Sequence, residues 1–285
     1  MEFDQKFYHF VDEALKEDVG DGDHSTECCI PADTTGKAIL KIKQDGVLAG
    51  IEVAEKIFNY VEPGSNFKGF KKDGEAIKAG ETGFEVEGLV HTILKCERIV
   101  LNCIQRMSGI ATLTRQFTDR LYGYETKLLD TRKTTPNFRL FEKEAVRIGG
   151  GVNHRFGLFD MLMLKDNHID YCGGIEITIN KAWDYVKNKR PDLKIEIETR
   201  SIEDVNKVLL VGKGKVDRIM LDNFMPPELA EAVVLINKNF ETEASGGINL
   251  DNIEEYAKTG VDFVSVGALI HQAKSLDLSL KAVIV

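Results

Sequence analysis

Apolar residues return at helical spacing over residues 5–16, where Phe7, Phe10, Val11 and Leu15 share a face and the pattern stops near Gly20. The rhythm then shortens. AILKIK at 38–43, a turn at Asp45-Gly46, the run VLAG, and GFEVEG after AGET are short alternating runs between glycine-bearing turns, which predicts a small antiparallel sheet. From Ile93 to Leu121 the period lengthens again. Ile93, Cys96, Val100, Ile104, Met107, Ala111, Thr114, Phe117 and Leu121 form one stripe of a long helix, and Arg98 lies off that stripe.

Beyond residue 124 six β-type runs appear: TKLLD (126–130), MLMLK (161–165), KIEIET (194–199), RIMLD (218–222), ETEAS (241–245) and DFVSVG (262–267). Amphipathic stretches such as LDNIEEYAKTG separate them, at the spacing of successive βα units joined by right-handed crossovers. Six such units predict a parallel βα barrel, smaller than the eight-stranded form. An open doubly wound sheet is the alternative, but no GxGxxG follows the first strand. The tail SLDLSLKAVIV alternates as a strand with no helix after it, so it is expected to return to the first sheet. The first domain is then discontinuous, residues 1–109 with 275–285, and the barrel takes 110–274.

The 285 residues carry a net charge of −9, which argues against nucleic acid or an anionic membrane as the main partner. No apolar run is long enough for a transmembrane helix, and the acidic, periodic start is unlike a signal peptide. Five cysteines, an odd number with no CxxC, indicate reduced thiols and a cytoplasmic protein. Cys28-Cys29 is expected to be a pair of small buried residues rather than a redox or metal pair. Any anion site must therefore be a local concentration of positive charge.

Such a concentration exists at the strand ends, where βα barrels keep their active sites. Arg132-Lys133 follow the first strand and Lys165-Asp166-Asn167-His168 the second, with His154 and Arg155 in the GGGVNHR segment between them. Glu198 ends the third strand, Asp222 the fourth, Ser245-Gly246-Gly247 the fifth and Gly267 the sixth. Taken singly, an Arg-Lys or Lys-Asp is a solvated helix start, a Gly-Gly is a tight turn, and an acid at a strand end is a helix cap. Jointly they sort by chemistry. Glycines on the last two strands suit a phosphate held on backbone N–H groups. Glu198 and Asp222 are hard oxygen donors suited to Mg²⁺. Arg132, Lys133, His154, Arg155 and Lys165 suit a small polyanion, because guanidinium grips carboxylate bidentately. The site reads as a phosphorylated sugar, a metal and a small carboxylated acceptor.

ERIVLNCIQRMSGIATLT, the stretch DTRKTTPNFRLFEKEAVRIGGGVNHRFGLFDMLMLKDNHI, LDNF, EASGGI and VDFVSVGAL together resemble the quinolinate phosphoribosyltransferases, also called carboxylating nicotinate-nucleotide pyrophosphorylases. The likeness runs from ALKEDVGDGDHSTE to SLDLSL. It implies transfer of phosphoribosyl from phosphoribosyl pyrophosphate to quinolinate, giving nicotinate mononucleotide, pyrophosphate and CO₂ with Mg²⁺ in de novo NAD synthesis. It also implies an α/β fold, an N-terminal α/β sandwich domain beside an incomplete βα barrel of six or seven strands related to the TIM barrel. A homodimer is implied as well, in which Arg98 comes from the neighbouring subunit; further assembly to hexamers is left open. Arg132, Lys133, His154, Arg155 and Lys165 fall on the family's quinolinate pocket. Glu198 and Asp222 fall on its metal and ribose carboxylates, and Ser245, Gly246, Gly247 and Gly267 on its 5′-phosphate cradle. Lys133 or Lys165 would stabilise the carbanion left by decarboxylation.

Two departures stand out: Asn137 takes a place where glycine is expected after Thr-Thr-Pro, and the VGKGK loop is slightly extended. Alternation puts Glu196 on the same side of its strand as Glu198; Glu198 is chosen because it lies nearer the C-terminal end. Rival readings are a sister phosphoribosyltransferase with another acceptor, such as nicotinate, and a non-catalytic barrel that senses phosphometabolites. A monocarboxylate needs fewer cations, and a sensor has no use for paired carboxylates beside a phosphate.

Overall fold

The computed structural model describes residues 3–283. Five strands precede the long helix: β1 (Thr35–Ile42), β2 (Gly46–Val47), β3 (Asn66–Gly69), β4 (Ala76–Ile77) and β5 (Thr82–Leu89). Six follow it: β6 (Lys127–Leu129), β7 (Leu162–Leu164), β8 (Ile195–Thr199), β9 (Arg218–Asp222), β10 (Glu241–Ser245) and β11 (Phe263–Ser265). The last is β12, Leu278–Val283. Two compact units result, one of Met1–Arg115, Thr134–Gly150 and Leu269–Val285, the other of Gln116–Lys133 and Gly151–Ala268.

The first unit is built on an antiparallel sheet in the order β12-β1-β5-β3. Alternation along β1 buries Ala38, Leu40 and Ile42, and the tail strand pairs with it in the register Leu40↔Leu280 and Ile42↔Leu278. The expected return of the tail is therefore observed for the described residues. The helix Val90–Arg120 buries every member of its apolar stripe through Phe117. The N-terminal helix Phe3–Val19 buries Phe7 and Val11, and Phe10 lies 4.6 Å from the Phe141 ring.

The helix Ile51–Val61 has apolar residues at helical spacing, with Ile51, Ala54, Ile57 and Phe58 buried, yet no local start signal marks it. Helices usually announce themselves with a local Ser, Thr, Asp or Asn. Here Gly50 stands at the N-cap with φ 108°, and the remote Asp73 accepts from Gly50 N at 2.7 Å and Ile51 N at 2.8 Å. A second anchor is fully buried. Glu142 accepts from Arg106 Nε at 3.0 Å, from Thr135 N at 2.7 Å and from Thr135 Oγ1 at 2.9 Å. Arg106 directs its remaining donors to the Ile270 and Ala273 carbonyls.

The second unit is a six-stranded parallel sheet in the order β6-β11-β10-β9-β8-β7. Each strand pairs with its neighbour in sequence except that β6 pairs with β11, so the sheet curls into a barrel with its seam between β6 and β7. Val152 lines the seam beside β6, its N–H donating to the Leu128 carbonyl at 2.8 Å and its carbonyl accepting from Asp130 N at 3.2 Å. This is the incomplete six-stranded βα barrel expected.

Candidate active site

Because the six strands are parallel, their C-terminal ends share one rim. Following the pairing, that rim presents Lys165 after β7, Glu198 on β8, Asp222 on β9, Ser245 at the end of β10 with Gly246-Gly247 after it, Gly267 after β11 and Arg132-Lys133 after β6. Cations, carboxylates and glycines are thus adjacent in space as well as sorted by type. Arg132, Lys133 and Lys165 are exposed and Arg155 is half-buried.

Lys165 Nζ lies 3.5 Å from Glu198 Oε2 across neighbouring strands. Burial pushes the Glu198 carboxyl above its ordinary range; Lys165 opposes this, while the negative charges of Asp222 and Asp166 add to it. Arg155 is held below the usual guanidinium range by burial and by the neighbouring Arg132 cation, and its Nη1 donates to the Met161 carbonyl at 3.1 Å.

His154 points inward. Its ring is buried, with Nε2 3.0 Å from Glu196 Oε2 and 3.3 Å from Glu243 Oε2. Arg218 Nη1 donates to Glu243 Oε2 at 3.0 Å, and Asp130, fully buried, accepts from His154 N at 2.8 Å. Two carboxylates thus face two cations. Burial alone would lower the His154 pKa, but the two carboxylates raise it to about 9. The Arg155 N–H donating to Nδ1 at 2.6 Å opposes a second ring proton, yet one amide dipole is outweighed by two anions at this depth. Burial and the Glu243 charge push Glu196 up to about 7 against His154 and Arg218, whereas Glu243 is lowered, its burial overcome by His154, Ser265 and Arg218.

The glycine turn is locked to the end of β9. Asn223 (φ 59°) donates its N–H to the Ser245 carbonyl at 2.7 Å and its Nδ2 to Asp222 Oδ2 at 2.7 Å. A Cβ on Gly246, at φ 100°, would lie 2.2 Å from Asn223 Oδ1, so only glycine lets the two turns approach. Gly247, at φ 66°, faces open space.

Arg98 belongs to the other unit, exposed and paired with Glu97 at 2.8 Å, as its place off the helix stripe implies. Sequence reading missed Asp130, Arg218 and Glu243 and set Glu196 aside. The available signal was acids at alternate positions of otherwise apolar or small-residue barrel strands, IEIET and ETEAS.

Carboxylates, cations and a glycine turn on one rim of a parallel sheet define a βα-barrel protein of the anion-handling kind. The quinolinate phosphoribosyl transferase N-terminal domain model matches residues 23–108 and the C-terminal domain model residues 110–281. Decarboxylating quinolinate phosphoribosyltransferase 1b of Nicotiana tabacum is 44% identical over 281 residues, covering 94% of this chain and 80% of that protein. The probable carboxylating nicotinate-nucleotide pyrophosphorylase of Bacillus subtilis is 40% identical, covering 93% and 89%. Among solved structures, NadC from Streptococcus pyogenes superposes with a TM-score of 0.90 at 38% identity, covering 98% of this chain and 97% of that one. The chain belongs to the quinolinate phosphoribosyltransferase family.

Proposed function

We infer that the protein transfers phosphoribosyl from phosphoribosyl pyrophosphate to quinolinate and releases CO₂, forming nicotinate mononucleotide and pyrophosphate for de novo NAD synthesis. The observation that carries this reading is the rim itself: cations, paired carboxylates and a glycine turn stand on consecutive strands of one sheet, in a chain that both family domain models match.

Arg132 and Arg155 grip the two pyridine carboxylates, and Lys133 and Lys165 add positive charge where the 2-carboxylate is lost. His154, with its ring turned inward, contributes to this pocket through Arg155. Backbone N–H groups of Ser245, Gly246, Gly247 and Gly267 receive the 5′-phosphate. Glu198 and Asp222 face positive charge developing at the ribose anomeric carbon as pyrophosphate departs. The pyridine nitrogen attacks that carbon. The resulting pyridinium accepts the electron pair left by CO₂, and the Lys165 or Lys133 Nζ supplies the proton that replaces it.

The same two carboxylates fit Mg²⁺. They are hard oxygen donors, and Glu198 is raised partly by the Asp222 charge, a repulsion that a divalent cation removes. When bound, Mg²⁺ would offset the charge of the pyrophosphate.

The reading includes a homodimer in which Arg98 completes the partner's pocket, supported by its exposure and by its ion pair being with Glu97, its own neighbour in sequence. A cytoplasmic location is supported by five unpaired cysteines; no helix among the described residues is long and apolar enough to cross a membrane. The test supplies quinolinate, phosphoribosyl pyrophosphate and Mg²⁺ to purified protein and follows nicotinate mononucleotide and CO₂, with nicotinate as a parallel acceptor. Turnover with quinolinate alone is expected; turnover with nicotinate would overturn the pocket assignment. Arg132→Ala should lose quinolinate binding and keep phosphoribosyl pyrophosphate binding, and equal loss of both would reject the division of roles.

A further inference from the structure

Cys28 and Cys29 take no part in the site above, and the expectation that they are buried is wrong: both are exposed. They end the short helix His24–Cys29 with their sulfurs 3.4 Å apart. The segment is fixed on both sides. Asp23 caps the helix by accepting from Thr26 N at 3.1 Å, and beyond Cys29 the chain is extended at Ile30, whose carbonyl meets His91 Nε2 at 2.8 Å. The Cys28 thiol donates to the Ser25 carbonyl at 3.4 Å.

We propose that Cys28 and Cys29 form a dithiol site for thiophilic electrophiles, and that a monosubstituted trivalent arsenical is the ligand it fits best. Adjacent residues have Cα atoms about 3.8 Å apart, shorter than the roughly 4.4–6.8 Å of ordinary disulfides, so a direct S–S bond is strained. One atom inserted between the sulfurs relieves that strain. With bonds of about 2.3 Å to sulfur, a 3.4 Å span sets an angle of about 95° at the inserted atom. That suits a pyramidal three-coordinate centre better than a tetrahedral one. Structural zinc needs four ligands, and among the described residues the one group of three or more metal-binding side chains is the buried His154, Glu196 and Glu243, far along the chain from this pair. An arsenical bearing one carbon substituent needs two sulfurs and no more.

The capture step is balanced without an oxidant. Two As–S bonds form, the bond from arsenic to oxygen is lost, the two thiol protons leave with that oxygen as one water, and arsenic remains trivalent. The other cysteines do not compete. Cys96 and Cys103 are buried, and burial pushes both thiols up to about 12. Cys172 lies in the other unit, and a single sulfur cannot close the chelate.

The experiment treats the reduced full-length protein with phenylarsine oxide in excess mercaptoethanol, a competing monothiol, and reads the intact mass. One arsenical per chain is expected, stripped by dithiothreitol, lost in Cys28→Ser and in Cys29→Ser, and kept in Cys172→Ser. Melting temperature checks that each variant is folded. A wild type that remains unmodified, or an adduct that survives both Cys28→Ser and Cys29→Ser, overturns the proposal.

Discussion

Glu196 and Glu198 stand two positions apart on one side of β8 and meet different partners, Glu196 facing His154 at 3.0 Å in the buried interior and Glu198 facing Lys165 at 3.5 Å at the rim. Their substitution should therefore separate stability from turnover. Glu196→Ala leaves buried cations short of an anion and should cost about 3–5 kcal/mol in urea denaturation. Glu198→Gln should shift the melting temperature little and lower kcat about 100-fold or more. The reverse pattern would show that the catalytic carboxylate had been given to the wrong residue.

The interior cluster makes stability depend on pH in a definite direction. His154 has a folded pKa of about 9 against roughly 6.5 unfolded, so its contribution is complete below about pH 6.5 and is lost as pH rises through 9. Glu196, raised to about 7, acts in the same direction between about pH 4.5 and 7. Glu243, lowered, acts oppositely at acid pH. Denaturation series from pH 7 to 10, above the Glu196 window, should show a fall on the order of 3 kcal/mol that His154→Gln largely removes. A flat profile in the wild type would refute it.

Gly246 and Gly247 should respond unequally to alanine. Gly246→Ala places a methyl against Asn223 at a positive φ, and phosphoribosyl pyrophosphate affinity should fall about 10- to 100-fold, the equivalent of about 1–3 kcal/mol. Gly247→Ala has open space and should cost about 1 kcal/mol of stability from its φ alone. Calorimetric titration with the pyrophosphate substrate distinguishes them; equal losses would argue against a turn built around the Asn223 contact.

If Arg98 acts across a dimer, Arg98→Ala and Asp222→Ala should each be inactive yet complement one another. Mixed after mild dissociation, they should regain about a quarter of wild-type activity, since half the dimers are hybrids with one intact site. Failure to regain activity, with hybrids verified by mass, would put Arg98 outside the site.

The strand ends were legible because each catalytic candidate sits where an apolar run stops, and a parallel sheet turns six such stops into one rim. The interior ions were not. A charged residue inside a strand looks solvent-facing, and only the curling of the sheet directs Glu243 and Arg218 inward, where His154 arrives from the seam. The pocket reading of His154 likewise gave no hint that its ring faces the interior. Asn137, noted as a departure from glycine, has φ 62°, a left-handed conformation that asparagine tolerates, so the turn survives the exchange. The helix Ile51–Val61 shows its apolar spacing in the sequence but not its start, because its cap, Asp73, is supplied from a distant turn.

The pairing of β12 with β1 bears on how the chain is born. On the ribosome β1 emerges early, whereas the strand that covers its outer edge follows the entire barrel. Until then β1 offers unpaired backbone groups along that edge, a template for stray pairing with other nascent chains. Synthesis interrupted within the barrel segment should therefore yield a sticky fragment rather than a finished first unit.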